Sequence, residues 1–290
     1  MNNTSVPKPQ PDAGNINKVL YDSTKRYWTG SMAIKIAAVF AGILTTTLVV
    51  PPPESLPFIV AAAAFLAEMF QLRSDNLKGR AEAFRRKIEY RDGFGWGIEG
   101  AEIADVLAGM TARKRAMIAK KASEAYYASS KSPGPARVLE NLRESAWWSK
   151  HLSSSMRTGC AVVLTVTVAG SIAALYIAAI SLPALSDRQN VVRIATATLS
   201  LIVSVGLWRF LVGYSGFNLK AERYEKAAAD TLKGASEEIA ALKLLHDYQI
   251  ARASAPIIPD WLWKLRRDGL NELWNAHCKA DTGSSGKPIG

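Results

Sequence analysis

The chain has 290 residues, a formal charge of +11 and 49% hydrophobic residues, with a mean hydropathy near zero. Two cysteines without a CxxC or an even, spaced framework exclude a disulfide-stapled fold and favour a reducing compartment. The near-zero average conceals four apolar blocks between strongly charged stretches, so a chain of uniform soluble character is excluded as well. A positive surplus of this size suits nucleic acid, anionic lipid or an anionic ligand, or it records orientation in a membrane, and its distribution decides among these.

Met1 to Asn15 is short, rich in Pro and Asn and without periodicity, and is expected to be disordered. It lacks the charged, apolar and small-residue succession of a signal peptide, so the first apolar run is read as a retained span. From Ile16 an amphipathic helix is predicted, and Lys25-Arg26-Tyr27-Trp28 just before the apolar run reads as an interfacial anchor. Ile34 to Val50 and Phe58 to Leu72, joined by Pro51 to Pro57, form a first membrane hairpin. Lys35 can snorkel to the interface, and Ala38 with Gly42 permits close helix approach. Glu68 lies more than a turn deeper than Arg73, where a carboxylate is costly unless paired, hydrated or protonated. It faces a water-filled path, or it has a structural partner such as Arg209, or the membrane boundary is shifted.

Residues 73 to 158 form a large aqueous insert. Its first helix continues the second span, with Ala81, Phe84 and Ile88 at helical spacing, and Gly93-Phe-Gly-Trp-Gly97 breaks it without matching a nucleotide fingerprint. A second helix is predicted over Glu99 to Ser129, with Ile103, Val106, Leu107, Met110, Met117 and Ile118 on one face. After Ser132-Pro-Gly-Pro135 a third runs from Ala136 to Thr158, with Val138, Leu139, Leu142, Ala146 and Trp147-Trp148, and enters the third span.

The clearest membrane signal is Gly159 to Leu182 and Val191 to Gly213, two runs each exceeding the roughly 20 residues that cross a bilayer, joined by a short turn. Gly170, Ala174 and Ala178 offer a smooth packing face in the third span. In the fourth, Arg193, Ala197, Ser200 and Ser204 fall on one side with Thr196 and Thr198 nearby, a row that lines a narrow pore or makes interhelical hydrogen bonds. Beyond Gly213 the stripe Phe217, Ala221, Tyr224, Ala228, Leu232, Ala235, Ile239, Leu242 predicts one long helix continuous with the fourth span. Ser254 to Asp260 ends it, a short helix covers Asp260 to Trp274, and residues 279 to 290 are expected to be disordered.

The expected fold is therefore an all-α membrane protein: a tail (1–31), hairpin one (32–72), a helical insert (73–158), hairpin two (159–213), a C-terminal helical part (214–278) and a tail (279–290). Lys and Arg number four before residue 32, seventeen in the insert and eleven after Gly213, against one in the two connecting turns. The positive-inside rule then puts both termini and the insert in the cytoplasm.

No catalytic motif appears: His151, His246 and His277 stand apart, and there is no HExxH, Walker loop or GxSxG elbow. No metal site or cofactor is expected, and His277-Cys278 is too isolated to suggest one. What remains is cations beside aromatics, namely Arg143 with Trp147-Trp148, and Trp261, Trp263, Lys264, Arg266 and Arg267. Arginine forks grip phosphates and indoles stack on bases, although the same residues also serve an interfacial belt or a helix core.

The two hairpins, the helical insert and the C-terminal run Arg252-Ala-Ser-Ala-Pro-Ile-Ile-Pro-Asp260-Trp-Leu-Trp-Lys-Leu-Arg-Arg267 resemble the SMODS-associated four-transmembrane effectors of bacterial cyclic-oligonucleotide antiphage systems (CBASS). The resemblance implies a multi-pass inner-membrane protein that binds a cyclic di- or oligonucleotide, assembles into a homo-oligomer and opens or disrupts the membrane, causing abortive infection. It implies no DNA or RNA polymer as partner, and it adds Arg252 to the candidate ligand residues. Glu68, Arg193, Thr196, Ser200 and Ser204 are the candidate pore wall. A constitutive channel or scaffold without nucleotide, and a membrane enzyme using Glu68, are the other readings.

Overall fold

Proline and glycine cut the chain into its elements. A computed structural model describes residues 12–47, 55–120, 127–181, 189–196, 198–199, 206–234 and 237–284. The elements are α1 (Ala13–Thr47), α2 (Leu56–Phe94), α3 (Gly100–Ala108), α4 (Ala112–Ala119), α5 (Pro135–Ser181), α6 (helical at 189–196 and 198–199), α7 (Leu207–Lys233), α8 (Glu238–Ser254) and α9 (Asp260–Ser284). Among the described residues there is no strand. Pro57 sits in the first turn of α2, where its missing N–H is no loss, and Gly95 ends the helix in the left-handed region (φ 79°), its N–H donating to the Arg91 carbonyl at 2.9 Å. The stop expected at Gly93 to Gly97 is thus a glycine C-cap.

Two antiparallel pairs of long helices form the frame. In the first, the Ser31 hydroxyl donates to the Ala67 carbonyl at 2.8 Å and the Ser74 hydroxyl to the Thr24 carbonyl at 3.0 Å, a ladder between α1 and α2. In the second, the Asn218 amide donates to the Lys150 carbonyl at 2.7 Å, and Lys150 pairs with Glu225, which fixes α7 against α5. One core fills α1 to α4 with Ile16, Leu20, Phe84, Ile88, Ile103 and Ile118. Another fills α5, α7 and α8 with Leu139, Leu142, Phe217, Leu245 and Tyr248, and α2 touches it through Tyr90 and Phe94. The helical stripes read from spacing supply most of both cores.

At one end of the frame the apolar side chains face outward instead. Phe58, Phe65, Leu66 and Leu72 of α2 are exposed, as are Val166, Ile172, Tyr176 and Ile180 of α5. Among the described residues, α5 is the one helix long and apolar enough to cross a membrane. Its apolar half is mostly exposed rather than buried in a protein core.

Several expectations are corrected. The helix predicted over Glu99 to Ser129 is two, α3 and α4, because Gly109 weakens it, Met110 turns into the core and Thr111 is extended; residues 121–126 lie outside the described residues. The long rod expected to run from the fourth apolar run through Leu242 is broken twice. Gly206 takes a left-handed conformation (φ 72°) before α7, and at Gly234 the chain turns extended (φ −98°, ψ −163°) between α7 and α8. Gly206 is one of few residue types that adopt that backbone at no steric cost. In the apolar half of α5, where Gly170, Ala174 and Ala178 are the expected packing face, Gly170 and Ala174 are exposed, and the inward face carries Cys160, Ser171 and Ala178. The final helix runs on to Ser284, past both the expected end at Trp274 and the start of the expected disordered tail at 279. At the other terminus, helix begins at Ala13, inside the tail expected to be disordered to Asn15. Residues 1–11 and 285–290 lie outside the described residues.

The two pairs meet at the segment after α8. A Cβ placed on Gly213 comes within 2.6 Å of the Pro256 ring, so α7 and this segment touch only because residue 213 has no side chain. A Cβ on Gly216 meets nothing within 4 Å. Gly213→Val is therefore expected to destabilise the purified protein by about 1–3 kcal/mol through overpacking. Gly216→Ala is expected to leave it unchanged or slightly more stable in the same thermal melts.

Candidate functional site

The residues with the most developed electrostatics surround Arg252, in the last turn of α8. Its side chain is 6% exposed and every guanidinium nitrogen is engaged. Nε donates to Glu82 at 3.0 Å, while Nη1 and Nη2 donate to the two oxygens of Glu89 at 2.6 and 3.1 Å. Gln249 donates to Glu89 at 2.9 Å, Arg85 pairs with Glu89 at 3.0 Å, and Tyr21 of α1 donates to Glu82. Burial pushes the Glu89 carboxyl up, but Arg252, Arg85 and the hydrogen bonds from Arg252 and Gln249 outweigh it and hold it at about 2. Glu82 is likewise held below the usual carboxylate range, because Arg252 and Arg85 outweigh burial. The Tyr21 phenol is driven up by burial and by Glu82, so it stays a donor.

Seven residues separate Glu82 from Glu89, two helical turns, which places both carboxylates on one side of α2 beside its apolar stripe. That spacing is the signal the sequence offers for the pair, and it lies outside the cation-and-aromatic pattern that picks the candidate residues, as do Tyr21, Lys78 and Gln249. Arg252, expected to meet a ligand, is instead consumed by these internal partners and presents no free cation.

Immediately after Arg252 the segment 255–259 gathers the other helices. Lys78 of α2 donates to the Ala253 carbonyl at 2.7 Å and to that of Ala255, neutralising the C-terminal end of α8. The Tyr214 hydroxyl of α7 donates to the Ile257 carbonyl at 2.6 Å, and Lys25 of α1 pairs with Asp260 at the start of α9. Burial lowers the Lys78 ammonium from its ordinary value, partly offset by Glu82 and Asp75. The Ser254 to Asp260 stretch, read from sequence as a helix stop, is a joint touching α1, α2 and α7 at once.

From this joint α9 runs back along α5. Trp147 is buried against Trp274 (ring centroids 5.2 Å apart) and His151 (4.4 Å), with Leu262 and Leu270 beside it. Trp148 is half-buried next to it, and Arg143 donates to His277 at 2.7 Å while lying over the Trp274 ring. Burial, with Lys150 nearby, keeps His151 below its usual value. Arg143, Trp147 and Trp148 are thus brought together as an α5–α9 seam rather than as an open pocket. The remaining candidates lie on the outer face of α9. Trp261 is 62% exposed, Trp263 is exposed with Arg267 over its ring at 5.3 Å, and Lys264 and Arg266 are exposed beside them.

Of the candidate pore wall, Glu68 is paired, and the partner is Lys35 at 2.7 Å rather than Arg209. The Glu68 side chain remains 67% exposed. Arg193 and Thr196 are exposed on α6, and Ser200 and Ser204 lie outside the described residues. Among the described residues no cluster of His, Cys, Asp or Glu could hold a metal ion. A cavity of about 10 Å³ beside Asn141, Glu89 and Tyr248 has room for about one water molecule, not a nucleotide. Comparison with protein families, curated proteins and solved structures returns no match.

Removing Arg252 leaves two carboxylates buried without their cation. Arg252→Ala is expected to cost about 3–5 kcal/mol in chemical or thermal denaturation. Arg252→Met combined with Glu82→Gln and Glu89→Gln is expected to recover a large part of that loss, because no buried charge is stranded. The pH dependence has a definite sign. Glu89 sits lower folded than unfolded, so its stabilisation is complete above about pH 4.5 and disappears as pH falls toward about 2. Melting temperature followed from pH 7 to pH 2 should fall most steeply in that window, and the fall should be shallower in Glu89→Gln.

Proposed function

We propose that this chain is a multi-pass membrane effector whose cytoplasmic helical body senses a cyclic di- or oligonucleotide and whose hairpins, as a homo-oligomer, open or disrupt the bacterial inner membrane. In this reading residues 32–72 and 159–213 form four membrane-crossing helices in two hairpins, with both termini cytoplasmic. The observation that carries the membrane part is the exposed apolar end of the frame, where Phe58, Phe65, Leu66, Val166, Ile172 and Ile180 face outward on both helix pairs. Exposure on that scale is unfavourable in water and ordinary in lipid. Trp28, Trp208 and Trp261, with Lys25 and Arg157, then serve as the interfacial belt. The antiphage role and the messenger rest on the resemblance of the Arg252 to Arg267 run and of the hairpin layout.

The ligand surface favoured here is the outer face of α9. Trp263 and Arg267 are already stacked and exposed, and Lys264 and Arg266 add charge for phosphates. A messenger acts only through a difference in affinity between closed and open assemblies. The second reading, a constitutive channel or scaffold, draws support from the internal use of Arg143, Trp147 and Arg252.

Reconstitution into dye-loaded liposomes separates these readings. The effector is expected to leak dye only when a member of a cyclic-nucleotide panel is added. Trp263→Ala with Arg267→Ala should raise the half-maximal messenger concentration about tenfold or more, as loss of one base stack of about 1–3 kcal/mol requires. Leakage without any nucleotide would favour the channel. Neither leakage nor nucleotide binding across the panel would remove the effector reading.

A further inference from the structure

Between α5 and α7, on the outer surface of the second pair, runs an open groove of about 610 Å³. It exists because Ala161, Ser215 and Gly216 are small, and a Cβ on Gly216 would meet nothing within 4 Å. Its polarity changes along its length. Arg157, Thr158 and Ser215 line the end toward the polar body, where Lys150 and Glu225 follow along the same two helices. Val162, Leu211 and Trp208 line the end toward the exposed apolar region. Among the described residues no carboxylate lines the groove, and Arg157 has no hydrogen bond or ion pair with any side chain.

We propose that this groove binds one anionic glycerophospholipid, its phosphate on Arg157 and an acyl chain along Val162 and Leu211. The inference rests on the membrane reading above and names a ligand which that reading does not require. Three features favour lipid. The cationic end lies at the level expected for headgroups and the apolar end at the level of chains, an order matching a phospholipid in its bilayer. An arginine fork suits a phosphodiester, and Thr158 and Ser215 offer hydroxyl donors for the remaining oxygens. Among the described residues the walls at the apolar end are aliphatic apart from Trp208, and these supply no set of donors and acceptors to read a base edge.

The test uses the whole 290-residue chain, extracted in mild detergent and incubated with equimolar phosphatidylglycerol and phosphatidylcholine, then analysed by native mass spectrometry. One phosphatidylglycerol per protomer is expected to be retained over phosphatidylcholine by about fivefold or more. Arg157→Gln should abolish that preference, and Arg113→Gln, on the exposed face of α4, should preserve it. Gly216→Leu, which fits the open space beside α7, should reduce retention of both lipids. Equal retention of the two lipids by the unmodified protein would overturn the proposal without need of any variant, and so would a preference that survives Arg157→Gln. If Gly216→Leu changed the oligomeric state and left lipid retention intact, a second copy and not a lipid would occupy the groove. Carbonate washing of membranes checks the premise separately: release of the protein sinks the membrane reading and this site together. Retention in the membrane without lipid preference sinks only the site.

Discussion

The fold turns on one buried cation. Arg252 lies on α8 and both its carboxylates lie on α2, so the ion pairs join the second helix pair to the first across what would otherwise be a seam of modest apolar contact. Such a network seldom adds much stability over a well-packed apolar equivalent, because two desolvated carboxylates and a guanidinium lose their water to form it. Its effect is on geometry. A fork that must meet Glu89 with two nitrogens and Glu82 with the third allows one rotation and one register of α8 on α2. The joint that follows inherits this register, and Lys78, Tyr214 and Lys25 then reach its carbonyls and Asp260 from three different helices.

At Glu68 a second largely buried cation is paired across two helices. Lys35 is largely buried while Glu68 is mostly exposed, so the ammonium is held between α1 and α2 and the carboxylate leans outward from it. In water an exposed pair of this kind contributes little. Within a bilayer the attraction is far less screened, and an outward carboxylate would need lipid-level water or a neighbouring subunit to complete its solvation. The pairing thus makes Glu68 tolerable on an otherwise apolar face, and it does not by itself make a path for ions.

What the sequence disclosed follows from which forces are local. The stripes Ala81-Phe84-Ile88, Val138-Leu139-Leu142 and Phe217-Ala221-Ala228 are periodic within one helix, and each is buried as the spacing implies. The stops at Gly95 and at Ser254 to Asp260 are legible for the same reason, since glycine and proline act on their own backbone. The breaks at Gly206 and Gly234 were not legible, because an apolar or helical stripe continues across them and only the path of the neighbouring chain shows that it must turn. The candidate site fared worse. Aromatic residues beside arginines suggest a ligand surface, but the same composition builds the α5–α9 seam. Whether Trp147 meets a base or Trp274 depends on a helix more than a hundred residues away. Arg252 shows this most plainly, for its partners lie over 160 positions upstream.

These breaks also change how the polar body can communicate with the apolar end. A single rod from the fourth span to Leu242 would carry rotation or tilt directly, but the left-handed turn at Gly206 and the extended residue at Gly234 uncouple its segments. The joint at 255–259 provides the shorter mechanical route. It is anchored by Arg252 on one side, presses Pro256 against Gly213 of α7, and holds the start of α9 to Lys25, three residues from Trp28. Trp28 in turn packs edge-on against Phe210 of α7, with ring centroids 6.0 Å apart. Under the proposed function, a ligand that shifted the first turns of α9 would move α1 and α7 together, where both pass from polar to apolar side chains. Packed interfaces of this kind change between discrete arrangements rather than bending continuously, which is what a switch requires of the element it biases.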